Sequence, residues 1–116
     1  MESEKEKMGT GRLYDANYDK ELIAERQACK ELCYELNRLR PSQITEREAI
    51  IRRLFHKTKE HFLLEQPFYC DYGYNIEIGE NFYANMNCVI LDEAKVTFGD
   101  NVLIAPSGGF YTAGRH

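Results

Sequence analysis

The sequence predicts an α+β chain, a short N-terminal helical segment followed by the first turns of a three-sided parallel β-solenoid. Helical spacing fills roughly the first sixty positions, and a period of six fills the last forty. Steps of six from Ile78 reach Ala84 and Ile90, and after a slip of two residues the series resumes at Phe98, Ile104 and Phe110. A second apolar row runs Ile76, Phe82, Cys88, then Val96 and Val102. The turn Ile78-Gly79-Glu80-Asn81 returns twenty residues later as Phe98-Gly99-Asp100-Asn101. Neither a helix nor a simple alternating strand has that period. A six-residue unit suits one flat side of a triangular coil, and three sides make a rung that buries its inward side chains only by stacking on the next. The alternative is a β-meander with turns at the two Gly-x-Asn segments, which does not account for two apolar rows in phase.

Taken in order, Ser3 to Met8 is a short helical candidate with Ser3 and Glu6 spaced as a capping box. Asp19 is a good N-cap for the next element. From Lys20 to about Asn37 the residues Leu22, Ile23, Ala28, Cys29, Leu32, Cys33 and Leu36 recur at helical intervals. Arg40-Pro41-Ser42 ends that helix. The following one reads as capped by Thr45, boxed by Glu48, stapled through Ile44 and Ala49, and continuing to about Lys57. Each helix hides one apolar face, and together they have too few apolar residues for a core of their own, so they are expected to cap the first rung. The segment from Glu65 to Gly73 is the lead-in strand and turn. Its Tyr69, Tyr72 and Tyr74, with Tyr83 later, are expected at the junction of helices and coil. The boundary is drawn at residue 60, with helices over 1–60 and coil over 61–116.

A chain of 116 residues with formal charge −4 and pI near 5.4 lacks the basic balance of a nucleic-acid binder. No secretory leader and no stretch of ~18 apolar residues is present, so the expected compartment is the cytoplasm and no membrane partner is expected. The coil stops in mid-pattern, so the C-terminus reads as a cut edge. Cys29, Cys33, Cys70 and Cys88 show no Cys-x-x-Cys spacing and read as small buried hydrophobes. A zinc site from Cys29 and Cys33 with His56 or His61 lacks the usual paired spacing, and no metal site is assigned.

Asp71, Asn85, Asp92 and Glu93 fall near turns, beside Tyr83. Carboxylate and amide groups can read sugar hydroxyls, which donate and accept at once, although turns are rich in Asp and Asn for conformational reasons alone. His116 is the one histidine of the repeat region. Histidine is the usual base for activating a hydroxyl, while an isolated terminal histidine is more commonly inert.

EKEKM, GRLYDAN and ERQACKELCYELNRLRPS resemble the maltose acetyltransferase N-terminal domain, and PFYCDYGYNIEIGENFYANMNCVILD with FGDNVLIAP and GFYTAG is similar to the start of the left-handed parallel β-helix of maltose and galactoside O-acetyltransferases. The resemblance implies acetyl transfer from acetyl-CoA to a sugar hydroxyl, in homotrimers with active sites between neighbouring β-helices. By motif, Asp71, Tyr83, Asn85, Asp92 and Glu93 would line the acceptor side, and the Asp15–Asn17 neighbourhood is a weaker candidate. The family's base is a histidine after a YTA-type segment. An ungapped match puts Arg115 there, and only one extra residue in the turn would restore His116. Arginine cannot accept the proton. The later rungs, which hold most coenzyme A contacts in the family, are absent from this sequence. Two functions follow: a sugar O-acetyltransferase, of which this chain is an incomplete portion, or a non-catalytic remnant that binds sugar or co-assembles with full-length subunits.

Overall fold

The structure, a computed structural model, describes residues 19–112. The helical candidate Ser3–Met8, the Asp15–Asn17 neighbourhood, Arg115 and His116 lie outside that range. Helix α1 spans Lys20–Arg38, and Asp19 caps it by accepting from the Leu22 amide at 3.0 Å. Its buried face is Leu22, Cys29, Cys33 and Leu36, while Ile23 and Ala28 face solvent. Helix α2 spans Ile44–Leu54 with Gln43 at its N-cap. The expected Thr45 cap is therefore displaced by two residues. Gln43 turns its side chain back to accept from the Arg40 amide at 2.8 Å. Ile44 is 56% exposed, so no staple forms on Ala49. The helix ends at Leu54 rather than Lys57, because Phe55 turns extended and His56 and Lys57 pair with the first turn of the coil.

Among the described residues eight short strands follow: β1 (Phe62–Leu64), β2 (Phe68–Cys70), β3 (Ile76–Glu77), β4 (Phe82–Ala84), β5 (Cys88–Leu91), β6 (Val96–Thr97), β7 (Leu103–Ile104) and β8 (Gly109–Tyr111). Consecutive strands go to different sheets, and every third returns: β1-β4-β7, β2-β5-β8 and β3-β6. All pairs are parallel and offset by twenty residues, as in Phe62 with Phe82 and Ile76 with Val96. That is a three-sided parallel coil and not a meander. The segment Glu65–Gly73, read as one strand and turn, is the corner and second side of a turn that already begins at Phe62.

Both apolar rows point inward. Ile76, Ile78, Phe82, Ala84, Cys88, Ile90 and Ile104 are buried, and Val96, Phe98, Val102 and Phe110 pack on them. Phe82, Phe98 and Phe110 form a ladder with centroids 5.1 and 5.3 Å apart. The slip of two residues seen near Asp92–Lys95 is a regular corner, since 71–75 occupies the same place one turn earlier.

The Gly-x-Asn turns stack. Asn81 and Asn101 take φ of 59° and 60°, the left-handed region that Asn tolerates, and the Asn81 amide donates to Asn101 Oδ1 at 3.1 Å. A Cβ on Gly79 would sit 2.4 Å from the Gly99 carbonyl oxygen, whereas one on Gly99 meets nothing within 4 Å. Gly79→Ala is therefore expected to lose about 1–3 kcal/mol in urea unfolding, the usual range for an overpacked site. Gly99→Ala should change stability far less. Equal losses would show that stacking of the two turns is not the cause.

The helices share one core with the coil, since Cys29, Cys33, Leu36, Ile50, Ile51, Leu54 and Phe55 are continuous with Phe62, Leu64, Phe68 and Ile76. The helices and the segment that follows them also bond to the free edge of each first-turn strand. On β1, Arg47 donates to the Leu64 carbonyl at 2.7 Å. On β2, the Asn37 amide pairs with both Phe68 groups, donating to O at 3.0 Å and accepting from N at 2.9 Å, as a neighbouring strand would. On β3, His56 N donates to Ile76 O at 2.9 Å and Ile78 N to Lys57 O at 3.0 Å. Exposed edges recruit other strands, and among the described residues each edge at this end has at least one such partner.

Candidate functional site

Each turn of the coil has three corners, and the polar residues singled out above fall on or beside two of them. Asp71 and Glu93 are half-buried on the corner after the second sheet, in successive turns. Burial, then the neighbouring charges of Glu93 and Asp92, push the Asp71 carboxyl up to about 6. A carboxyl so placed changes charge close to neutral pH, accepting hydrogen bonds above that value and donating one below it.

Asp92 has a different role from the one its sequence neighbours suggest. It is 0% exposed. Oδ1 accepts from the amides of Asp71 and Tyr72 at 3.1 and 2.9 Å, and Oδ2 from Asn75 N at 3.2 Å. The Asn75 side chain closes the ring by donating to the Asp92 carbonyl at 2.8 Å. Desolvation raises its pKa and these amides pull it back. Its carboxylate is spent on the chain's own backbone, so it shapes the corner that carries Asp71 and offers nothing to a ligand.

Tyr83 sits in β4 and Asn85 just after it, where the first sheet turns the preceding corner toward the second. The Tyr83 hydroxyl lies 3.4 Å from both Glu65 Oε2 and Asn85 Oδ1, so its single proton has two acceptors. Asn85 Nδ2 is anchored on the Ile104 carbonyl at 2.9 Å, which fixes the orientation of the amide. Glu65, which reaches this cluster from the first turn, was not singled out by spacing. Among the described residues no hydrogen bond or ion pair joins Tyr83 and Asn85 to Asp71 and Glu93. One chain presents two half-clusters, not one closed site.

Beside Asp71 a groove of about 600 Å³ runs between α1 and the second sheet, lined by Lys30, Tyr34 and Arg38 of the helix and by Tyr69 and Leu91 of the strands. Lys30, Tyr34 and Arg38 stand four apart, a stripe next to the buried one, and that spacing was legible in the sequence. Of the tyrosines expected at the junction, Tyr72 and Tyr74 reach α1, accepting from Arg26 at 2.9 Å and donating to Glu25 at 2.6 Å respectively. Tyr69 is 49% exposed in the groove. No helix of the described residues is long and apolar enough to cross a membrane.

This arrangement, a helical cap on a parallel three-sided coil with polar corners, has close counterparts. Residues 7–59 match the maltose acetyltransferase hexapeptide capping motif. A Saccharomyces cerevisiae protein that carries the provisional name of an acetyltransferase is 52% identical over 105 residues, which is 90% of this chain and 54% of that protein. A maltose O-acetyltransferase from Clostridium difficile 630 superposes with a TM-score of 0.92 at 45% identity, covering 94% of this chain and 58% of that one. A galactoside acetyltransferase solved in complex with coenzyme A superposes at 0.84 and 42% identity, covering 91% and 52%. The chain carries the capping motif of the maltose acetyltransferases, and over nearly its whole length it is similar to O-acetyltransferases of the maltose and galactoside type. It spans little more than half the length of the relatives it matches.

Proposed function

We propose that this chain serves acetyl-CoA-dependent O-acetylation of a sugar hydroxyl, of the maltose, glucose or galactoside type, and supplies the acceptor side of the site. The observation that carries the reading is the pair of polar half-clusters on adjacent corners of the coil. In a homotrimer of left-handed β-helices, the arrangement the family resemblance implies, the Asp71–Glu93 corner of one subunit would meet the Tyr83–Asn85 corner of the next. Sugar hydroxyls would then be held between carboxylates that accept and a fixed amide and phenol that both donate and accept. Acetyl-CoA as donor is supported by the coenzyme A bound in the galactoside acetyltransferase neighbour. The base that would take the hydroxyl proton is assigned to His116, with Arg115 at the ungapped position, and both lie outside the described residues. The cytoplasm suits the four free thiols.

Acetyl transfer is read by release of the coenzyme A thiol with maltose, glucose and galactoside as acceptors. The 116-residue chain is expected to turn over at least several hundred-fold more slowly than the Clostridium difficile enzyme, of which it spans 58%, a gap of about 3–4 kcal/mol in barrier. Turnover closer than that would overturn the partial-site reading. Sugar binding tests the residues themselves: Asn85→Ala and Asp71→Asn should each weaken it about tenfold, the loss of one hydrogen bond to a fixed or charged group. The second reading, a sugar-binding or co-assembling protein without turnover, rests on the partial coverage of the relatives. It predicts mixed oligomers when the chain is combined with a full-length subunit.

A further inference from the structure

Three of the four cysteines meet at one point under α1. Cys29 and Cys33 stand one turn apart on the helix, Cys70 ends β2, and the three sulfurs lie within 4.8 Å of one another. The Cys29 and Cys70 sulfurs are 3.5 Å apart, and all three thiols are free and buried. His56 and His61 are not among them. His61 pairs with Glu80 at 2.7 Å and His56 stands 3.9 Å from Glu77, so the mixed zinc site weighed from the sequence does not form.

We propose that Cys29, Cys33 and Cys70 form a three-thiolate site for a soft, thiol-seeking metal ion, with Cu(I) as its type case. Three sulfurs bound in a plane around an ion at about 2.3 Å stand about 4.0 Å apart, so the observed spacing needs only small side-chain adjustments. The donor set contains sulfur alone, which selects soft ions over magnesium, calcium or manganese. Access is provided by the groove, because Cys33 and Cys70 line its wall. Lys30 and Arg38 line it too, and their charges offset the excess negative charge of a tris-thiolate complex, against which Asp71 acts. Hydrogen bonds from Cys29 and Cys70 already hold the Cys33 thiol below its ordinary range, while Cys29 and Cys70 are pushed up. Binding exchanges protons and moves no electrons: one Cu(I) gains three copper–sulfur bonds, and whatever protons the three thiols still hold go to solvent. Uptake should therefore strengthen as pH rises.

The test is anaerobic titration of the 116-residue chain with Cu(I) against a chromogenic chelator. One equivalent per chain is expected. Cys29→Ala, Cys33→Ala and Cys70→Ala should each weaken uptake at least about a hundredfold through loss of a thiolate ligand. Cys88→Ala, which removes another fully buried thiol, should leave uptake unchanged. Loss of uptake in Cys88→Ala equal to that in the others would overturn the site, as would retention in a chain lacking all three thiols. Should the alanine variants fail to fold, copper-edge X-ray absorption on the unmodified chain decides: three sulfurs at about 2.3 Å support the site. Two sulfurs, or any nitrogen or oxygen ligand, refute it, and so does a chain that forms a Cys29–Cys70 disulfide and takes up no copper after reduction.

Discussion

Asp92→Ala is expected to cost about 3–5 kcal/mol in urea unfolding at pH 7, a large share of the stability of a domain this size. The side chain is fully buried and accepts from three backbone amides, those of Asp71, Tyr72 and Asn75. Deleting it leaves three donors facing an apolar gap, and each unsatisfied buried donor costs about 1–3 kcal/mol before relaxation. Asp92→Asn separates charge and hydrogen bonding from shape. An amide oxygen in place of Oδ1 still serves Asp71 and Tyr72, but the amide nitrogen then faces Asn75 N, donor against donor. The asparagine variant should fall between the wild type and alanine. Alanine losing less than about 1 kcal/mol would mean that water replaces the carboxylate and that the corner does not depend on it.

Phe68→Ala should lose about 3–5 kcal/mol, the range for emptying a fully buried aromatic site. Phe68 is 0% exposed, and its ring meets Phe55 edge-on with centroids 5.6 Å apart. It belongs to β2, yet its backbone is held by Asn37 of α1, so it lies where cap and coil share their core. The variant should therefore unfold in a single transition shifted to lower urea, with helical and strand signals falling together. A variant whose helical signal melts first while the strand signal keeps its original midpoint would show that cap and coil are separate units.

The coil was legible because its inward rows repeat every six residues, and Ile76, Phe82 and Cys88 in one row with Ile78, Ala84 and Ile90 in the other are all buried. Its first turn was missed as a turn, although Phe62, Leu64, Phe68 and Cys70 stand twenty residues before Phe82, Ala84, Cys88 and Ile90. Stepping the period backwards would have found it. The cap of α2 was misplaced because Thr45 and Glu48 satisfy a local rule, while contacts outside the local pattern favour an earlier start: Arg47 is tied to Pro41 and Leu64. At the candidate site, Asp71 and Glu93 were read only as residues near turns, and they stand on one corner in successive turns. That Asp92 turns inward between them is invisible in sequence, because a turn aspartate that holds backbone amides and one that faces a ligand are the same letter. The meeting of Cys70 with Cys29 and Cys33 joins a strand to a helix forty residues away, and no local spacing encodes it.

The bonding of all three first-turn strands to Arg47, Asn37 and the His56–Lys57 segment gives the stack a direction. Among the described residues, a further layer, whether contributed by the same polypeptide or by a neighbour, meets cap groups already bonded to each of these three strands, and the opposite face is the more open one. Growth of this molecule is one-way, like masonry rising from a finished foundation.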